Sequence, residues 1–377
     1  MKLKKKAICI FAGSFIVVIL LVGFFLLIQS RIEKRIAQKF YFGRNLIEEK
    51  KWKEATGIFE EIFTNYPESK NSVGSIFYYA FSLEKLDRID EAASFLTKII
   101  EEFPMSTWVA PSLIMLAQIK TEKGALLEAQ ELYEKVASEF KDSASVEEAW
   151  LGLGGIYAIK GELAEAKSFY ERVINEFPQD DFYSSARKHL GDLNVKMIYS
   201  SYPSVGSFNY KVGSGDTLDS IARRFNTTVD LLEESNQLKS NYLSIGQRLK
   251  ITPSHFNIYV SKAKNILVLK YNDEIIKIYS VATGKFNSTP VGDFKITDRL
   301  KNPVWYRYGR KIPSGHPDNI LGTRWLGLSE AGYGIHGTTQ PESIGKQATD
   351  GCVRMLNKNV EEVYRLVTTG TAVKIVD

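Results

Sequence analysis

The sequence predicts a multidomain chain: an N-terminal transmembrane helix, an all-α solenoid of helical hairpins, a small βααβ module and a mainly β C-terminal domain. Three observations carry this prediction. Ala7 to Ile28 is a run of 22 residues without a charge. Apolar and small residues then recur every 37 positions from about residue 40. From Phe256 onward the texture turns to short stretches of β-branched and aromatic residues bounded by turn formers. At 377 residues, 44% hydrophobic and 25% charged, the chain is long enough for more than one core, and its composition excludes wholesale disorder. Lys2, Lys4, Lys5 and Lys6 supply four of the five net positive charges, so the rest carries only +1 and no nucleic-acid partner is expected. Cys9 and Cys352 are too few for a disulfide framework, and four scattered histidines make no metal site. No cofactor is expected.

As a helix the uncharged run would span about 33 Å at roughly 1.5 Å per residue, enough to cross a bilayer. The basic cluster before it stays cytoplasmic by the positive-inside rule, although Arg31, Lys34 and Arg35 on the far side weaken the asymmetry. No small-residue cleavage site follows, so residues 7–28 read as an uncleaved single-pass anchor with everything after it extracytoplasmic. Cys9, at the start of the run, reads as a small packing residue. Cys352 is then an odd cysteine in an exported domain, with no intramolecular partner for a disulfide.

Residues 37–199 form the repeat array. Ala55, Ala92, Ala129 and Ala166 stand 37 apart, as do Phe59, Leu96, Tyr133 and Tyr170, and Ile62, Ile99, Val136 and Val173. Tyr66, Phe103, Phe140 and Phe177 close each unit, while Gly43, Ala80, Ala117, Gly154 and Gly191 put a small residue where two helices meet. Spacing at i, i+3, i+4 and i+7 inside each unit makes the segments amphipathic helices, and the result is stacked helical hairpins. The array resembles the tetratricopeptide repeat family, with a period longer than its usual 34. Residues 182–199 are expected to cap it. Such an array offers a groove to an envelope protein partner, or serves as a spacer.

The stretch 200–208 (SSYPSVGSF) reads as a linker separating two cores. Residues 208–252 then read as strand, two short helices and strand, with Asp216 or Thr217 capping the first helix and a turn at Gly246 before the last strand. Val212, Gly215, Asp216, Thr217, Leu218, Ile221, Ala222, Phe225, Asn236 and Ile245-Gly246-Gln247 make this segment resemble the LysM family over its whole length. The resemblance implies a peptidoglycan-binding module whose shallow groove is lined by Gly213 to Thr217, including Gly215 and Asp216, and by Ser244 to Gln247, including Ile245 and Gly246.

In the mainly β domain, residues 256–377, His336 and Cys352 lie sixteen positions apart, each beside a glycine. Cysteine with histidine is the minimal nucleophile and base pair, because a thiol of pKa about 8.5 needs a neighbouring base to become a thiolate near neutral pH. Gly351 lets the backbone approach closely, so amides near Cys352 are candidates for an oxyanion hole, and Arg354 for a carboxylate clamp. Thr289-Pro290-Val291-Gly292, Gly334-Ile335-His336-Gly337-Thr338, Ser343-Ile344-Gly345 and Thr349-Asp350-Gly351-Cys352-Val353-Arg354-Met355 make the domain resemble the YkuD-type L,D-transpeptidase catalytic domain. The resemblance implies a cysteine enzyme that attacks the diaminopimelate carbonyl of a peptidoglycan tetrapeptide, releases D-alanine and passes the acyl group to an amine, cross-linking the wall. Cys352 matches the nucleophile and His336 the base. Gly337 and Thr338 match positions that orient the histidine. Gly351 matches an oxyanion position, and Thr349 and Arg354 match substrate-binding ones. Asp350 stands where the family commonly has histidine. Facing the sulfur its charge would slow attack, and facing away it would not. Water as acceptor, which would make an L,D-carboxypeptidase, and a non-catalytic wall-binding scaffold are the alternative readings.

Overall fold

The computed structural model describes residues 2–178, 181–307 and 309–377, the side chains of residues 2–20, 22 and 181 excepted. The chain divides into two compact units, residues 1–156 and 157–377. In the first, α1 (Lys2–Glu48) is continuous and is followed by α2 (Trp52–Asn65), α3 (Ser72–Lys85), α4 (Ile89–Glu102), α5 (Val109–Glu122), α6 (Leu126–Glu139) and most of α7 (Ser145–Lys160). The anchor expected over 7–28 falls largely on side chains outside those described. Among the described residues no helix is long and apolar enough to cross a membrane.

The 37-residue columns are the core of the helical hairpins. Ala55, Phe59, Ile62, Ala92, Leu96, Ile99, Ala129 and Val136 are fully buried. The small-residue column exists because the helices touch there: a Cβ on Gly43 would come within 2.8 Å of the Phe59 ring. Tyr66, Phe103 and Phe140 end their helices as C-caps, each followed by a turn.

The second unit holds α8 (Leu163–Glu176), α9 (Asp181–Tyr199), the βααβ module and the β domain. The module is β1 (Phe208–Lys211), α10 (Leu218–Arg224), α11 (Val229–Ser235) and β2 (Arg248–Ile251), with β1 and β2 antiparallel around Val212, Leu218, Ile221, Leu232, Leu249 and Ile251. The β domain comprises β3 (Phe256–Ser261), β4 (Ile266–Tyr271), β5 (Glu274–Ser280), β6 (Thr283–Gly284), β7 (Gly292–Lys301), β8 (Trp305–Arg307), β9 (Arg310–Ile312), β10 (Arg324–Leu328), β11 (Gly334–His336), β12 (Gln347–Thr349), β13 (Val353–Arg354), α12 (Asn357–Leu366) and β14 (Ala372–Val376). Its eight-stranded sheet runs β13-β11-β10-β7-β14-β3-β4-β5, and α12 buries Val360, Val363 and Leu366.

Two expectations are corrected here. The stretch 200–208 does not separate two cores, and α9 is more than a cap on the array. Val195 and Ile198 of α9 and Leu231 of α11 lie in the same hydrophobic cluster as Ile258, Leu269 and Val363 of the β domain. The apolar face of α9 is therefore covered by the sheet, not by solvent. Hydrogen bonds fasten the same surfaces. Asn194 Nδ2 donates to the Ile276 carbonyl at 3.2 Å and the Tyr199 hydroxyl to the Glu362 carbonyl at 2.6 Å. Ser254 Oγ donates to the Leu366 carbonyl at 2.9 Å. Lys277 of β5 sits between Asp192 and Glu362, 2.7 Å from each.

Candidate active site

His336 ends β11, which lies between β10 and β13, and its side chain is 2% exposed. Gly334 opens this strand because a Cβ there would meet Trp325 at 2.6 Å, and the Trp325 indole stacks on the imidazole at 5.9 Å between centroids. His336 Nδ1 is 2.7 Å from the Gly337 carbonyl oxygen. A carbonyl only accepts, so Nδ1 carries the proton and Nε2 keeps its lone pair. Burial pushes the ring's pKa down to about 4; the Gly337 carbonyl opposes this, and the Arg354 charge adds to it. The imidazole is neutral at neutral pH, the state a general base needs.

Cys352 follows a backbone that only glycine fits. Gly351 has φ 135°, and a Cβ on it would strike the Tyr333 ring at 2.6 Å. The Thr349 hydroxyl donates to the Cys352 carbonyl at 2.6 Å and accepts the Gly351 N–H at 3.2 Å. Thr349, expected to touch substrate, thus spends its hydroxyl holding the nucleophile loop, and the Gly351 amide expected in the oxyanion hole is already taken. The amide left without an acceptor among the described residues is that of Cys352 itself.

The thiol is half-buried and its Sγ lies 3.7 Å from the Gly332 carbonyl oxygen. Burial is the main cause that pushes the thiol's pKa up; the Gly334 backbone and Arg354 oppose it, and Asp350 adds least. The question left open for Asp350 is thereby resolved. Its side chain is 82% exposed and lies 3.6 Å from Arg307 Nη2, turned to solvent. Arg354, 4% exposed, donates from Nη1 to Gln340 Oε1 at 2.9 Å and to Ser343 Oγ at 3.1 Å. Its Nε has no partner among the described residues.

Cys352, His336 and Arg354 line one cavity of about 400 Å³, closed by Trp305, Leu321 and Tyr333. Gly337 and Thr338 sit behind the histidine, Gly337 supplying the carbonyl for Nδ1 and Thr338 accepting the Gln340 N–H on its hydroxyl at 2.8 Å. Gln340 and Tyr333 were missed as functional residues. The polar cluster between Thr338 and Ser343, and an aromatic one residue before Gly334, were the available signals.

In the βααβ module the two expected loops meet: the Gly246 N–H donates to the Val212 carbonyl at 2.8 Å, and Gly215 and Gly246 adopt φ of 81° and 87°. Asp216, however, is not free for a ligand. It accepts from the Tyr210 hydroxyl at 2.6 Å, the Gly213 N–H at 2.8 Å and Arg224 Nη2 at 3.1 Å. Thr217 closes a capping box with Ser220. Both side chains shape the loop instead of reaching out of it. Ile245 is 75% exposed on the facing loop, and Tyr242, not singled out from sequence, is 92% exposed.

Among the described residues no group of His, Cys, Asp or Glu is placed to hold a metal ion. A family model described as the L,D-transpeptidase catalytic domain matches residues 256–375, one for the LysM domain matches 210–252, and tetratricopeptide repeat models match 75–106 and 147–180. The chain is 38% identical over 173 residues to a protein named L,D-transpeptidase YkuD of Bacillus subtilis (strain 168), covering 44% of this chain and 97% of that one. It is 41% identical over 126 residues to YqjB of the same organism, named likewise, covering 32% of this chain and 70% of that one. Among solved structures it is similar to an L,D-transpeptidase from Mycobacterium smegmatis, at 15% identity and TM-score 0.29, covering 36% of this chain and 65% of that one. The catalytic domain of an E. faecium L,D-transpeptidase is covered over 98% of its length, at 19% identity and TM-score 0.28.

Proposed function

Since this chain belongs to the L,D-transpeptidase family and is an L,D-transpeptidase of peptidoglycan, we propose that its reaction runs through Cys352, His336 and Arg354. The observation that supports this is their convergence on one cavity. The Cys352 thiol gives its proton to His336 Nε2 as sulfur attacks the diaminopimelate carbonyl of a tetrapeptide stem. The oxygen that gains charge is met by the Cys352 N–H, held in place by the Thr349 hydroxyl on the Cys352 carbonyl. His336 then protonates the departing D-alanine amine, leaving a thioester. An amine acceptor attacks the thioester carbonyl, His336 takes the amine proton, and the sulfur leaves and is reprotonated as the new peptide bond forms. Arg354, charged and buried beside the sulfur, favours the thiolate and offers its free Nε to a substrate oxygen.

The LysM module binds the glycan through the Gly215 and Gly246 loops, with Ile245 as an apolar contact. The N-terminal helix is a single-pass anchor in the bacterial cytoplasmic membrane, which leaves the catalytic domain extracytoplasmic, in the periplasm or cell wall. Its exposed Leu21, Phe24, Phe25, Leu26 and Leu27 suit a lipid surroundings. The helical repeats offer their surface to an envelope protein.

Mass spectrometry of products from the full chain incubated with disaccharide tetrapeptides tests the reaction. Cross-linked dimers short of one D-alanine, absent with Cys352→Ala, are expected. Tripeptides alone would assign water as the acceptor, and unchanged tetrapeptide would sink the assignment.

A further inference from the structure

Asn357 is the first residue of α12 and does not line the cavity that holds Cys352. Its Oδ1 accepts two backbone N–H groups from separate segments, Thr323 at 3.2 Å and Thr338 at 2.9 Å. The chain makes room for this oxygen with two glycines: a Cβ on Gly322 or on Gly337 would lie 2.2 Å from Asn357 Oδ1. The Thr338 N–H and the Gly337 carbonyl belong to one planar peptide group, so fixing one end fixes the other. The other end is the carbonyl that accepts His336 Nδ1–H at 2.7 Å. From Thr338 a second line of bonds runs onward, through the Gln340 N–H on its hydroxyl to Gln340 Oε1, which accepts Arg354 Nη1 at 2.9 Å.

We propose that Asn357 is a positioning residue for the transpeptidase reaction, one amide oxygen that holds both the peptide plane orienting His336 and the turn orienting Arg354. Without that acceptor the Thr338 N–H, in a residue 4% exposed, is left buried and unpaired. The peptide plane then turns toward another acceptor and carries the Gly337 carbonyl away from the imidazole. The inference rests on the roles given to His336 and Arg354 above.

The test reads Cys352 alkylation by iodoacetamide at pH 7 beside turnover of disaccharide tetrapeptide, in the full chain. His336→Ala first measures how much thiol reactivity the histidine supplies. Asn357→Leu keeps the branched shape and lacks the acceptor; it is expected to lower both rates about tenfold or more with KM little changed, while Asn357→Asp, which keeps an acceptor oxygen, stays within about threefold of the parent. If Asn357→Leu does not fold, Asn357→Ala replaces it with the same expectation. Parent-like rates in the Leu or Ala variant, or an Asp variant as slow as they are, overturn the inference. Unchanged alkylation in His336→Ala overturns the base assignment itself and this inference with it.

Discussion

The ammonium of Lys250 lies 2.7 Å from the carbonyl oxygen of Met197, joining the last strand of the glycan-binding module to the last turn of α9. The Ile198 and Ser200 carbonyls take its other protons, at 3.2 and 2.8 Å. These are groups that a helix C-terminus leaves without partners, and the negative end of the helix dipole favours a cation there. Burial pushes the Lys250 pKa down to about 8, so the group is still charged at pH 7.

Lys250→Met is expected to leave those carbonyls buried and unpaired and to destabilise the second unit by about 2 kcal/mol. Urea unfolding of residues 157–377 reads this as a lower midpoint. A midpoint equal to the parent's would mean that water replaces the ammonium without loss.

A fragment beginning at residue 205 lacks Val195 and Ile198, which are 4% and 1% exposed in the intact unit. Each such side chain contributes about 1.5–3 kcal/mol when buried. The fragment is therefore expected to unfold at lower denaturant than residues 157–377 and to bind an apolar dye on the face that α9 covers. Equal midpoints would show that α9 docks without stabilising the sheet.

His336 links stability to pH. Its pKa is 6.5 in the unfolded chain and about 4 in the fold, so between those values the unfolded state binds the extra proton. Stability from this group is present above pH 6.5 and is lost as pH falls toward 4, on the order of 3 kcal/mol in all. His336→Gln should flatten the stability profile over that window, measured as urea midpoints at pH 7, 5 and 4. A slope as steep as the parent's would place the titration elsewhere.

Asp350 raises the Cys352 pKa through charge alone, from an exposed position. Solvent screening makes the effect small, so Asp350→Asn is expected to speed iodoacetamide alkylation at pH 7 by less than about threefold, with the gain fading in high salt. A tenfold gain would mean that the carboxylate turns inward in solution.

On the glycan-binding face, Ile245→Ser is expected to weaken retention on insoluble peptidoglycan about fivefold or more while leaving the melting temperature unchanged, because the side chain is exposed. Asp216→Ala is expected to lower retention only together with thermal stability. Were Asp216→Ala to lose binding with the fold intact, the carboxylate would touch sugar directly.

Much of this was legible in the chain because it rests on short-range rules. A 37-residue period reports which helix faces are buried, and Ala55, Ala92 and Ala129 obey it without exception. The glycines flanking His336 and Cys352 mark places where a Cβ cannot fit. What escaped depends on contacts far apart in sequence. Nothing near Lys250 says that its partner carbonyls lie 50 or more positions earlier, and nothing near Val195 says that its apolar face belongs to a β-sheet. Polar residues misled for a related reason. Asp216, Thr217 and Thr349 sit where a ligand would pass, yet their oxygens are consumed by the loops that carry them.

Leu231 shares a core with the catalytic sheet, so the glycan-gripping loops and the nucleophile move as one solid body. A strand caught by those loops is therefore presented to Cys352 in a set register. Stem peptides repeat along a glycan like rungs, and only the rung that falls opposite the sulfur is joined. The enzyme works as a gauge of the wall's spacing, and the pattern of cross-links it leaves records a length built into the protein.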